Sequence, residues 1–98
     1  MFITGNLREY SRTQFVRTIR YSISVLDMKE LKRIQDTAVS IDISKGGLGI
    51  ITNYPLKTGH ILDFDNEVKM DDITAKSAVV RWAEKINGNK YRVGLKFI

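Results

Sequence analysis

"VSIDISKGGLGI", residues 39–50, alternates apolar and polar side chains and then runs into three glycines. Alternation with a period of two is the pattern of a β-strand with one buried face. It predicts Val39, Ile41 and Ile43 turned to a core, and Ser40, Asp42 and Ser44 turned away from it. An aspartate in such a strand costs stability unless something engages it. Gly46, Gly47 and Gly49 weaken a strand further, because glycine loses the most conformational freedom on ordering. Both departures from regularity ask for a physical reason.

The same period recurs on either side. In "FVRTIRYSISVL" (15–26), Phe15, Ile19, Tyr21, Ile23 and Val25 share one face. "LGIIT", "HILDFD", "ITAKSAVVRWAEK" and "KYRVGLKFI" read as further strands, the last with Tyr91, Val93, Leu95 and Phe97 on one side. Asn87-Gly88 between two alternating runs is a hairpin signal. "NYPLKTG" is punctuated as a loop. "DMKELKRIQD" carries Leu31 and Ile34 at helical spacing and reads as one helical turn or a long loop with polar ends. Six strand-like runs joined mostly by short turns predict an antiparallel barrel or sandwich. Closing the sheet is the simplest way for a short chain to avoid exposed edges.

The chain has 98 residues, of which 43% are hydrophobic and 28% charged, as in a single globular domain. No apolar run approaches the ~18 residues that span a membrane, and the N-terminus lacks the layout of a secretion signal. There is no cysteine, which removes disulfides and thiolate metal sites and fits a cytoplasmic setting. His60 is the only histidine. A histidine triad or multi-histidine metal site therefore has no basis, and no carboxylate pair or nucleophile–base set stands at a recognisable spacing. The net charge of +5 is uneven. Arg8, Arg12, Arg17 and Arg20 near the start and Lys85, Lys90, Arg92 and Lys96 near the end flank an acidic stretch from Asp63 to Asp72. Such a distribution points to an anionic partner.

Residues two apart in a strand share a side, so Asp42 and Ser44 form a small polar fork. It can accept hydrogen bonds from a planar donor, a guanine edge or an arginine. Gly46 and Gly47 let the chain turn and expose its N–H groups. The alternative is a bulge or hairpin turn with Asp42 tied to a nearby basic residue. In "REYSRTQFVRTIR" all the basic residues are arginines, whose guanidinium groups bind phosphate bidentately and stack on purines. Phe15 has core parity, while Tyr10 is undecided. The parity of Trp82 with Ala78 and Val80 predicts packing in the core or at the barrel mouth.

Arginines ahead of a first strand, then Asp42, Ser44 and Gly47 as D-x-S-x-x-G, then Val80, Trp82, Tyr91, Val93, Gly94, Leu95 and Phe97 as "V-x-W … Y-x-V-G-L-x-F", resemble a PilZ domain over most of the chain. The resemblance implies an all-β fold, a six-stranded antiparallel β-barrel with little helix, and a ligand, cyclic di-GMP. It implies that arginines hold phosphates and guanine faces while the D-x-S-x-x-G strand reads a guanine. The candidate binding residues are Arg8, Arg12, Arg17, Asp42, Ser44, Gly46 and Gly47. Arg17 follows the aromatic-x pair Phe15-Val16 as in the family, but Thr13 stands four residues before it, and the literal R-x-x-x-R is Arg8 with Arg12. Arg12 and Arg17 are the preferred pair, with Arg8 a third candidate. The expected organisation is a flexible arginine-bearing segment over 1–14 and a barrel over 15–98. The expected function is a cytoplasmic bacterial receptor that uses no metal or cofactor, catalyses nothing, orders its N-terminal segment on ligand and signals to a protein partner. The rivals are a PilZ-like interaction module that does not bind the nucleotide, and a small basic barrel binding single-stranded nucleic acid. The nucleic-acid reading is disfavoured because the aromatics sit mostly on core parity.

Overall fold

The computed structural model describes residues 11–98, so Arg8, Tyr10 and the rest of the expected N-terminal segment up to residue 10 lie outside the described residues. The strands are β1 (Thr13–Gln14), β2 (Thr18–Asp27), β3 (Glu30–Ile43), β4 (Gly47–Thr52), β5 (Ile61–Met70), β6 (Ile73–Asn87) and β7 (Lys90–Phe97). All pairings are antiparallel. The sheet runs β3-β2-β5-β6-β7-β4, and β4 pairs back onto β3 to close it. The six expected strands thus form a closed barrel, with no helix among the described residues. The short β1 adds to β3 through Thr13 opposite Ile43 and Gln14 opposite Asp42.

The predicted face of β2 holds: Phe15, Ile19, Tyr21 and Ile23 are buried in one cluster with Leu48, Ile50, Leu62, Val80 and Val93. Tyr21 shares a hydrogen bond of 2.8 Å with Thr52 Oγ1, both residues being buried. Burial of the phenol pushes its pKa up to about 12.

Residues 27–36 form neither a helical turn nor a loop. They complete an antiparallel ribbon in which Asp27 faces Glu30 across a two-residue turn. Met28 and Lys29 take that turn with φ of 49° and 71°, as tight hairpins of this kind require. Cross-strand pairing outweighs the helical spacing of Leu31 and Ile34: Ile34 packs opposite Ile23, Lys32 pairs with Asp27, and Arg33 reaches Ser24 and Asp63. The ribbon extends past the barrel wall, and the described chain measures 52 × 28 × 21 Å.

Strand β3 also departs from strict alternation. Ser40 pairs with Ile50 but Asp42 with Gly49, so Ile41 is an extra residue in a β-bulge. Before the bulge the parity is the reverse of the expected one: Ala38 and Ser40 are buried, and Val39 is exposed. Past it, Ile43 points in and Asp42 reaches the outer side. The buried Ser40 hydroxyl donates to Phe15 O at 2.6 Å and accepts from Arg17 N–H at 2.9 Å, tying the segment ahead of β2 to β3.

Candidate ligand-binding site

The connection from β3 to β4 closes with Ser44 N–H donating to Gly47 O at 2.9 Å. Ser44 Oγ accepts from the amides of Gly46 and Gly47, each at 3.2 Å. Those amides are therefore turned to a side chain of their own turn and not outward to solvent. Gly47 is needed for a further reason. A Cβ there would collide with the backbone carbonyl of Leu95 on β7.

Arg12 lies over this turn. Its Nη2 donates to Asp42 Oδ1 at 2.8 Å, its Nε to the same oxygen at 3.1 Å, and its Nη1 to Ser44 Oγ at 3.2 Å. Arg12, Asp42 and Ser44 thus converge with the Gly46-Gly47 turn, and the tie between Asp42 and a nearby basic residue matches the alternative that the sequence left open. Asp42 Oδ2 accepts no hydrogen bond among the described residues.

Arg17 does not join them. Its Nη1 donates to Val16 O at 2.9 Å and its guanidinium lies 5.0 Å over the Phe15 ring. It lines a second cavity of about 420 Å³ with Arg20 and Lys69. The preferred pair of arginines is therefore divided between two clefts, and Arg8 lies outside the described residues.

The groove beside Arg12 has a volume of about 730 Å³. Arg81, Arg92, Lys45 and Lys96 line it with Arg12, and Asp42 is the one acid among its described lining residues. Lys45 is paired with Asp72 at 3.5 Å. Arg81 and Arg92 make no ion pair among the described residues. Positive charge dominates the described lining of the groove.

Trp82 also lines the groove and is 45% exposed, contrary to its expected place with Ala78 and Val80. The cause is a second bulge. Val80 pairs with Leu95 and Trp82 with Gly94, so Arg81 is the extra residue and parity reverses beyond it. The site residues missed in the sequence are Arg81, Trp82, Arg92 and Gly94. Arg92 was signalled by the basic cluster near the end of the chain, and Gly94 by its place inside a strand, where a glycine marks a close approach by a neighbour.

Among the described residues no group of histidine, cysteine or acidic side chains could hold a metal ion. No helix among the described residues is long and apolar enough to cross a membrane.

A closed antiparallel barrel with an arginine–aspartate–serine cluster at the lip of a cationic groove defines the class. The chain belongs to the PilZ domain family, whose pattern matches residues 6–98. Among solved structures it is similar to the PilZ domain with c-di-GMP of YcgR from Escherichia coli. The TM-score is 0.61 at 18% identity, covering 95% of this chain and 79% of that one. No curated protein matches the sequence.

Proposed function

We propose that this chain is a receptor domain for cyclic di-GMP that binds its ligand without catalysis. The observation that carries the reading is the Arg12–Asp42–Ser44 cluster at the edge of a groove lined by Arg81, Arg92 and an exposed indole, the two arginines making no ion pair among the described residues. Cyclic di-GMP offers two phosphates and two guanines. Guanidinium groups suit the phosphates, and the Trp82 face suits a base. Asp42 Oδ2, which accepts no hydrogen bond among the described residues, suits a guanine N–H donor. The YcgR domain, which carries c-di-GMP on the same fold, supports this choice of ligand.

In this reading the segment over 1–14 closes on the bound ligand against the barrel over 15–98, and the new surface signals to a protein partner in the bacterial cytoplasm. β1 fits such a role, since its two exposed residues are weakly anchored. Micromolar affinity is about 8 kcal/mol. It has to be met, after the cost of ordering, by two or three arginines bonding bidentately, by Asp42 and by base stacking. Each charge-assisted hydrogen bond is worth roughly 1.5–3 kcal/mol.

Isothermal titration with cyclic di-GMP, GTP and a short oligonucleotide at physiological salt tests the proposal. Saturable binding of cyclic di-GMP alone supports it. Binding of the oligonucleotide alone turns the groove into a nucleic-acid site. Binding of none favours a PilZ-like interaction module, a reading that the internal engagement of Arg12 by Asp42 also suits.

A further inference from the structure

Four residues stand in directly paired register across the groove. Asp42 on β3 faces Gly49 on β4, Gly49 faces Gly94 on β7, and Gly94 faces Trp82 on β6. With strands about 4.8 Å apart, the row crosses roughly 14 Å of the barrel wall. Its two outer members carry the side chains and its two inner members carry none. Both glycines are nonetheless buried. What covers them is visible from the space a side chain would need. A Cβ on Gly49 would sit 2.6 Å from Asp42 Oδ1, and a Cβ on Gly94 would collide with Nε1 and Cε2 of the Trp82 indole. The carboxylate lies down over β4 and the indole over β7, toward each other.

Neither glycine is there for its backbone angles. The positive-φ glycines among the described residues are Gly59 and Gly88. Alanine is therefore compatible with the backbone at 49 and 94, and only the neighbouring side chain has to move. Gly47 is the contrast, because a Cβ there meets the main chain of β7, which cannot swing aside.

We propose that Gly49 and Gly94 are positioning residues. They form a bare-backbone floor that sets the carboxylate of Asp42 and the ring of Trp82 at the height and tilt the ligand requires. Neither glycine needs to touch the ligand. An added methyl at 49 lifts Oδ1, the oxygen that holds Arg12, and so disturbs carboxylate and guanidinium together. An added methyl at 94 lifts the indole off the sheet and removes a flat stacking face. The inference rests on the cyclic di-GMP reading for its ligand, but its geometric half stands without it.

The experiment uses Gly49→Ala, Gly94→Ala and Trp82→Ala in the full chain. Trp82 is the sole tryptophan, so intrinsic fluorescence reports its position. Gly94→Ala should shift emission to the red and increase quenching by acrylamide in the free protein, with an unfolding midpoint near that of the parent. Gly49→Ala should leave emission unchanged. Each should weaken cyclic di-GMP binding by about tenfold, the worth of one stacking or charged contact. In a Trp82→Ala background, Gly94→Ala should cost no further affinity. Unchanged emission in Gly94→Ala overturns the proposal, as does an equal loss of affinity in the Trp82→Ala background. Should Gly94→Ala fail to fold, the Trp82→Ala/Gly94→Ala double variant decides. Recovery of folding supports the collision with the indole, and continued failure refutes it. If the parent protein ignores cyclic di-GMP, the proposed function falls, while the emission result still judges the floor.

Discussion

Arg12 and Asp42 are joined through a single carboxylate oxygen: Nη2 at 2.8 Å and Nε at 3.1 Å both reach Oδ1. The pair is only partly buried, with about a fifth to a quarter of each side chain exposed (21% and 24%). An anion approaching the groove therefore meets a guanidinium that is already oriented. Its charge is balanced by an aspartate whose second oxygen accepts no hydrogen bond among the described residues. The pair fixes the geometry of the lip and at the same time competes with the ligand for Arg12.

Arg12→Ala is expected to weaken cyclic di-GMP binding by about 10- to 100-fold, since hydrogen bonds to charged groups are worth roughly 1.5–3 kcal/mol. The fold should persist with a loss of about 1 kcal/mol, because Asp42 and Ser44 can turn to water at the groove mouth. Titration calorimetry and urea unfolding measure the two effects. Undiminished affinity in a folded variant would move the site to the cavity of Arg17 and Arg20.

Asp42→Asn separates charge from shape. Asparagine keeps a carbonyl oxygen for Arg12 but loses the negative charge that a guanine N–H donor favours. Affinity should fall about tenfold, with a melting shift under about 5 °C for a domain of this size. Steep loss of stability with binding intact would make Asp42 a structural anchor and nothing more.

Ser40→Ala is the variant that should unfold the protein most readily without touching the groove. Its hydroxyl is buried, donates to Phe15 O at 2.6 Å and accepts from Arg17 N–H at 2.9 Å. Removing it leaves a main-chain donor without that partner, a cost of about 1–3 kcal/mol. Thermal melting should drop by roughly 4–8 °C per kcal/mol. A melting point equal to that of the parent would show that water replaces the hydroxyl.

This serine marks where the sequence stopped being legible. Alternation and turn spacing showed six strand-like runs closing as an antiparallel barrel or sandwich, and the family resemblance chose the barrel and grouped the arginines with Asp42 and Ser44. The errors fall at two bulges. An extra residue at Ile41 and another at Arg81 each reverse parity, so Ser40 goes in, Val39 comes out, and Trp82 emerges onto the groove. The glycines after Asp42 left a bulge open as an alternative, but nothing in the local composition says which residue is the extra one. It follows from the register of the partner strand, which is a property of the closed barrel and not of the segment. The ribbon over 27–36 escaped for a related reason. Charged residues on a two-stranded arm face water on both sides and carry no buried-face pattern.

Tyr21→Phe should change stability mainly at alkaline pH. Burial raises the Tyr21 pKa from 10.0 to about 12. Between those values the unfolded chain loses the phenolic proton while the folded one keeps it. Stability is therefore full below pH 10 and declines as pH rises toward 12, by about 2–3 kcal/mol for this group. Phenylalanine cannot ionise, so the alkaline limb of a stability–pH profile should be shallower by that amount. Near pH 7 the variant should lose about 1 kcal/mol, for the hydrogen bond with Thr52. Identical alkaline limbs would mean that Tyr21 opens to solvent before the protein unfolds.

The segment carrying Arg12 should change its exchange behaviour on binding. β1 consists of Thr13 and Gln14 alone, both exposed, paired only to Ile43 and Asp42. So short a pairing opens at little cost, while the Arg12–Asp42 contact and the Phe15 N–H bond to Ile41 O at 2.9 Å hold its two sides. In free protein the amides of residues 11–14 should exchange faster than those of Tyr21 to Ile23 in the core. Cyclic di-GMP bridging Arg12 to the groove arginines would add a constraint that opening must break. Protection of 11–14 should then rise by at least about tenfold, each such factor being 1.4 kcal/mol of linkage. The gain should shrink with added salt, because the bridge is electrostatic. Hydrogen exchange with and without ligand, at two salt concentrations, gives the answer. Equal protection in both states, with ligand bound by calorimetry, would mean that the segment is already closed and that the signal leaves the domain by another surface.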